Sequence, residues 1–329
     1  MPYKHLTIYE REKISLMLAE GKTQREIARE LGRHKSTISR EIKRNRGKTG
    51  YRVVKAQRTA DRRRSESKQP QKMNSPVINA YVKSKLHIYW SPEQIAEMLI
   101  EEYPDDRALH ISHQAIYDWI WQDKSNGGMW YTHLRQASRK RRKRYGRSTS
   151  KRGQIKYAKD ITERPAIVEQ RTRAGDWESD TIEGAKGTGY IATHVCRASK
   201  YVVLAKLKTK EAAVFNKGSI KAFKRHGALP CHTFTVDNGK EFAAHAQLEK
   251  KMQCQVYFAK PYQAWQRGLN ENTNGLLRQF LPKGMDFRTI STKYLKYVEY
   301  LLNTRPRKSL GYQIPYAVMC KLAGVALQI

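Results

Sequence analysis

Residues 177–207 read WESDTIEGAKGTGYIATHVCRASKYVVLAKL, and this stretch sets the fold of the larger part of the chain. Trp177–Glu183 reads as a strand, with the glycine-bearing EGAKGTG as its hairpin turn. Tyr190–Arg197 and Tyr201–Leu207 read as two further strands, giving an antiparallel meander. Beyond it, 210–226 has the period of an amphipathic helix, with Ala212, Phe215, Ala222 and Phe223 on one face. Phe234–Val236 is a short strand ending at Asp237, a helix runs from about Phe242 to Lys251, and Gln255–Phe258 is a fifth strand. Residues 261–280 (PYQAWQRGLNENTNGLLRQF) have the length of a helix, and 291–302 add another with Tyr294, Leu295, Val298, Leu301 and Leu302 inward. Three antiparallel strands, helix, strand, helix, strand, helix is the order of an α/β ribonuclease-H-like domain with a mixed five-stranded sheet.

That order makes the first strand central and sets the fourth beside it, which brings Asp180 next to Asp237. Fifty-six residues separate Asp180 from Asp237 and 33 separate Asp237 from Glu271, enough for a helix to return Glu271 to the same point. An aspartate inside or at the end of an apolar strand is costly to bury without a partner, which weighs against three unrelated surface carboxylates. Convergent carboxylates repel, so they need a cation. Oxygen-only ligation selects a hard ion, Mg²⁺ or Mn²⁺. Two such ions about 3.5–4 Å apart can activate the attacking oxygen and steady the leaving oxygen of an in-line phosphoryl displacement.

On a helix, Asn274 and Arg278 share the face of Glu271. Asn274 is then a supporting residue, and Arg278 either clamps a DNA phosphate or is structural. After Asp237, Asn238 is a candidate for positioning the loop, Glu241 follows it closely, and His245 is a candidate support or DNA contact. Trp265 stacks on a distorted base or, the stronger reading, belongs to the core.

The charge names the partner class. Lys and Arg number 64 against 30 Asp and Glu, a net charge of +34, half of it on each side of residue 150. Such an excess favours a phosphate-rich polyanion, DNA above all. No apolar run is long enough to span a bilayer, and MPYKHLTIYERE lacks the apolar stretch of a signal peptide, so no membrane partner is expected and a cytoplasmic, nucleoid-associated location is. Cys196, Cys231, Cys254 and Cys320 form no CxxC pair, and His194, Cys196, Cys231 and His232 match no tetrahedral zinc spacing.

Residues 1–48 read as a helix-turn-helix domain. Thr7–Glu10 and Thr23–Glu26 are capping boxes. Ile14, Met17 and Leu18, then Ile27, Ala28 and Leu31, then Ile38 and Ile42 are apolar faces, and Gly32 is a helix stop. Lys35, Ser36, Ser39, Arg40 and Lys43 line another face of the third helix, where long basic and short polar residues suit a major groove. Residues 49–75 read as a basic linker, either helical in part and touching DNA backbone or plainly solvated. Residues 76–137 repeat the plan: Ser91-Pro92-Glu93-Gln94 starts one helix, Ser112 caps the next, and Ile116, Trp119 and Ile120 turn inward. His113, Gln114 and Tyr117 face away, towards DNA or protein. Residues 138–165, with the run Arg139–Arg144, read as a second basic linker ahead of a catalytic domain at 166–310 and a tail at 311–329.

Nearly end to end, the chain resembles DDE transposases of bacterial insertion sequences, in the insertion-sequence-thirty family. The resemblance is carried by TQREIARELGRHKSTISREIKRN, WSPEQIA, TVDNGKEFAAH, PYQAWQRGLNENTNGLLRQFLPKG and LNTRPRKSLGYQIPY; GLNENTN at 268–274 is similar to the G-x-x-E-x-x-N signature of integrase cores. It implies that Asp180, Asp237 and Glu271 are the metal-binding catalytic triad, and that the family's 33-residue last interval is kept. It implies a homo-oligomer on double-stranded DNA that binds terminal inverted repeats, nicks each end and joins the freed 3′-hydroxyl to target DNA. The rival readings are a DNA-binding regulator with a vestigial catalytic domain and a metal-dependent nuclease without strand transfer.

Overall fold

The computed structural model describes residues 5–47, 50–66, 71–135, 155, 157–227, 229–261 and 263–324; the basic run Arg139–Arg144 lies outside them. The chain divides into two compact units, Met1–Gln71 and Lys72–Ile329.

In the first unit, both capping boxes close, at Thr7/Glu10 and at Thr23/Glu26, and they start α1 (Ile8–Ala19) and α2 (Gln24–Glu30). Gly32 follows α2 at φ 59°, a left-handed turn that glycine takes without strain. It leads into α3 (Lys35–Asn45). Ile14, Met17, Ile27, Ala28, Ile38 and Ile42 form the core. Inside it Arg11 pairs with Glu41 at 2.8 Å, and Tyr51 Oη donates to the same carboxylate at 3.0 Å. After the short antiparallel pair β1 (Arg46–Gly47) and β2 (Gly50–Tyr51), the stretch read as a linker holds a full helix, α4 (Val53–Glu66), where the sequence suggested at most a partial one. Its placement is specific: Arg11 donates to Gln57 at 2.7 Å, and Arg63 donates to Arg44 O at 2.8 Å and Asn45 Oδ1 at 3.1 Å.

The second unit opens with α5 (Pro76–His87), α6 (Pro92–Glu102) and α7 (His113–Ser125), packed about Ile78, Val82, Leu86, Ile95, Leu99, Ile116 and Ile120. Ser91 and Gln94 close the expected capping box, and the Ser112 hydroxyl caps α7.

The rest of the unit is a six-stranded mixed sheet rather than a five-stranded one. Its strands are β3 (Lys159–Asp160), β4 (Asp176–Glu183), β5 (Tyr190–Cys196), β6 (Val202–Leu207), β7 (Thr233–Val236) and β8 (Gln255–Phe258), in the order β3-β8-β7-β4-β5-β6. β4, β5 and β6 form the antiparallel meander, while β7 runs parallel to β4, and β8 parallel to β7. The extra strand pairs parallel to β8 through two residues of the stretch read as linker. A short α8 (Ile167–Gln170) precedes β4.

Strand alternation splits the core between two faces. Val203, Ala205 and Leu207 of β6 join the layer of α9 (Ala212–Arg225) and α10 (His245–Met252), together with Phe215, Phe223 and Leu248. Val202 and Leu204 face the layer of α11 (Gly268–Leu277) and α12 (Thr292–Thr304). In the stretch read as a tail, α13 (Pro315–Ala323) buries Met319 fully in the first layer. Tyr294, read as inward, stays 37% exposed with its hydroxyl donating to Phe280 O at 3.3 Å. The free edge of β6 is closed by side chains: Glu299 accepts from Leu204 N–H at 2.6 Å and Asn303 from Val202 N–H at 2.7 Å. An edge so satisfied cannot recruit another strand.

Candidate active site

Parallel pairing of β4 with β7 sets Glu178 opposite Thr235. Two residues further on, Asp180 and Asp237 therefore stand level at the carboxyl edge of the sheet. Thr181 N–H donates to Asp180 Oδ1 at 2.9 Å and Gly239 N–H to Asp237 Oδ1 at 2.8 Å, so each carboxylate is oriented by its own backbone. Between them lies Arg267, with Nη1 3.7 Å from Asp180 Oδ1 and Nη2 3.2 Å from Asp237 Oδ2. Burial pushes the Asp180 carboxyl above its ordinary range; Arg267 pulls it back, and the charges of Asp237 and Glu241 add to the rise.

The helix over this pair is shorter than 261–280. Lys260 N–H donates to the Gln266 side chain at 2.9 Å, and Ala264–Arg267 form a single 3₁₀ turn, so α11 begins only at Gly268. It is docked on β4 at two points. Glu178, buried and paired with Arg197 at 2.7 Å, accepts from Asn270 N–H at 3.1 Å, a carboxylate where the amides of a first turn favour negative charge. Asn274 Nδ2 donates to Asp180 Oδ2 at 2.9 Å. Glu271 stands in that first turn, three residues before Asn274, exposed and with no hydrogen bond or ion pair among the described residues. No cluster of three His, Cys, Asp or Glu side chains able to hold a metal occurs among them. The structure thus brings Asp180, Asp237 and Asn274 together and leaves the Glu271 carboxylate outside the contact.

Asn238 Nδ2 donates to Ala259 O at 2.8 Å, tying the loop after β7 to the end of β8. His245 packs on Phe258 at 5.1 Å between ring centres, and its Nε2 lies 3.2 Å from Tyr157 O, away from both aspartates. Arg278 donates to the carbonyls of Glu183 and Leu281 at 3.0 and 3.3 Å, the contacts of a structural arginine. Trp265, read as core, is 73% exposed. Reading the sequence missed one residue of the site and gave a second no role. Arg267 is the first; its signal was its place four residues before Glu271. The second is Glu241, noted in the sequence only for following Asp237 closely: it is 2% exposed, accepts from Thr181 Oγ1 at 2.9 Å and pairs with Lys210 at 3.0 Å.

Sequence comparison matches a helix-turn-helix domain to residues 2–45 and an integrase core domain to residues 171–264, which stops short of Glu271. The chain is 34% identical to the transposase InsI for insertion sequence element IS30A of Escherichia coli (strain K12), over 98% of this chain and 85% of that one. It is 43% identical to the transposase for insertion sequence element IS4351 of Bacteroides fragilis, over 95% of this chain and 94% of that one. The chain belongs to the IS30 family of DDE transposases. Among solved structures it resembles the catalytic core domain of BIV integrase, at 19% identity and a TM-score of 0.36, over 46% of this chain and 97% of that one.

As a member of that family this transposase is a polynucleotidyl transferase that depends on a divalent metal. The donors fit: two oxygen-only carboxylates are held together against their repulsion, and a cationic side chain sits between them. On the DNA-binding unit, Lys35, Arg40 and Lys43 are exposed and Ser36 and Ser39 half-buried, opposite the buried Ile38 and Ile42 of α3. On α7, His113 and Gln114 are exposed, Gln114 donating to Asp118 at 2.8 Å, and Tyr117 is half-buried. No described helix is long and apolar enough to cross a membrane.

Proposed function

We propose that this transposase binds the terminal inverted repeats of its element through α3, nicks each end, and joins the freed 3′-hydroxyl to target DNA. Asp180, Asp237 and Glu271 would hold two divalent cations, Mg²⁺ or Mn²⁺. The observation that carries the reading is the Asp180–Asp237 pair bridged by Arg267 beneath the first turn of α11. When bound, the cations neutralise the scissile phosphate and activate the attacking oxygen. Asn274 holds Asp180 in register with α11. Glu271, exposed in the same turn and without a partner among the described residues, would swing towards the aspartates to complete the ligand set, and Arg267 would give up its contacts with them. One such site serves hydrolysis and strand transfer alike, because both are displacements at phosphorus by an oxygen nucleophile. A homo-oligomer then pairs two ends on DNA in the bacterial cytoplasm. The direct test incubates the full chain with DNA bearing the ends of its element, with and without Mg²⁺, and reads nicks and joined strands separately. Nicks without joined strands would leave a nuclease.

A further inference from the structure

The segment LNTRPRK, residues 302–308, leaves α12 carrying Arg305 and Arg307 on either side of Pro306. Arg305 is only 3% exposed, yet among the described residues its Nε and Nη2 have no hydrogen-bond partner, and the buried Nε of Arg307 has none either. What Arg305 does contact is weak: Gln279 Oε1 at 3.4 Å and the Phe280 ring at 5.7 Å. Arg307 Nη2 donates to Leu302 O at 2.8 Å. Burial, then repulsion from Arg307 and Arg135, pushes Arg305 down to about 9; burial and Arg135 push Arg307 down to about 10. Both stay charged at neutral pH, and an unmatched buried guanidinium is expensive.

Arg135 completes the group. A Cβ on Gly275 would lie 2.7 Å from Arg135 Nη2, so this guanidinium lies on the backbone of α11. The three arginines sit where the helices of 76–125 meet the catalytic core. That seam is fastened by Gln94 Nε2 to Pro306 O at 2.6 Å, Lys308 to Glu93 at 2.6 Å and Gln279 Nε2 to His133 O at 2.8 Å.

We propose that Arg135, Arg305 and Arg307 form a phosphate-binding site at this seam. A phosphate presents several anionic oxygens to several guanidinium N–H groups, the match that arginine forks make best. It would satisfy the orphaned donors, fasten the helical module to the core and brace α11 from behind. The occupant is a backbone phosphate of bound DNA or a free phosphate, and the site stands apart from the cleavage chemistry.

The test uses the full chain and its Arg305→Met variant, melted in inorganic phosphate and in chloride at equal ionic strength. The wild-type Tm rises saturably with phosphate. In chloride the variant melts higher than the wild type, because an unmatched buried charge is gone, and it loses the phosphate response. A second arm places single neutral methylphosphonates along a duplex carrying the element's ends. At one position wild-type affinity falls about ten-fold or more, the size of a lost charged hydrogen bond, while the variant is indifferent. A response to phosphate alone identifies a free anion, and an Arg305-dependent methylphosphonate position identifies DNA; either supports the site. A wild type indifferent to phosphate, with no Arg305-dependent position on DNA, overturns it. Should Arg305→Met fail to fold, Arg307→Met carries the same comparison.

Discussion

Replacing Arg267 by Gln isolates the electrostatics of the aspartate pair. Its guanidinium lies 3.7 Å from Asp180 and 3.2 Å from Asp237, and the three side chains keep 16%, 25% and 29% of their surface. Hydrogen bonds to charged groups contribute about 1.5–3 kcal/mol when partly shielded from water. A cation entering between the aspartates must displace this arginine. Removing the competitor returns that free energy to metal binding, and since about 1.4 kcal/mol is ten-fold, divalent affinity should tighten roughly ten-fold. The same change leaves two carboxylates facing each other, so the metal-free variant should melt lower and gain more from metal than the wild type does. Calorimetric titration with Mn²⁺ and melting curves with and without it, both in the absence of DNA, read the two effects. An affinity unchanged or weakened by Arg267→Gln would mean that arginine and metal do not share these carboxylates.

Arg40→Ala on α3 should reduce the preference for terminal over random DNA by roughly ten-fold, measured by competition at fixed salt; an unchanged ratio would remove α3 from sequence readout. Burial against Phe215, Phe223 and Phe234 pushes the His194 imidazole down to about 3, so the fold refuses a proton that the unfolded chain accepts below about pH 6.5. This group's contribution is complete above that pH and is lost as pH falls, by up to about 1.4 kcal/mol per pH unit. His194→Met should flatten the acid limb of stability between pH 6 and 4, and an equally steep limb would contradict the assignment.

Features written in local chemistry were legible in the sequence. Thr7/Glu10, Thr23/Glu26 and Ser91/Gln94 each need only four residues to cap a helix, and all three boxes close. The meander declared itself through its hairpin turn and its strand-like runs, and the order of elements after it set the fourth strand, with Asp237, beside the first, with Asp180. What escaped depends on distant partners. β3 is two residues long and exists only because Tyr257 and Phe258 lie alongside it. α4 reads as a charged linker, helical in part at most, until Arg11 and Arg44 are seen to hold Gln57 and Arg63. Periodicity gave 261–280 as one helix, but the Gln266 side chain captures Lys260 N–H and delays the start to Gly268. Arg267 drew no notice for the same reason: a lone arginine ahead of a helix gains meaning only once two strands place carboxylates on either side of it.

The account turns on whether Glu271 joins the aspartates when metal and DNA are bound. Glu271→Gln should bind duplexes carrying the element's ends within about two-fold of wild type. Its Mg²⁺-dependent nicking of those ends should fall at least about a hundred-fold, because a properly held cation lowers the barrier by several kcal/mol. Nicking at the wild-type rate would show that the site works with Asp180 and Asp237 alone, and would contradict the three-carboxylate account.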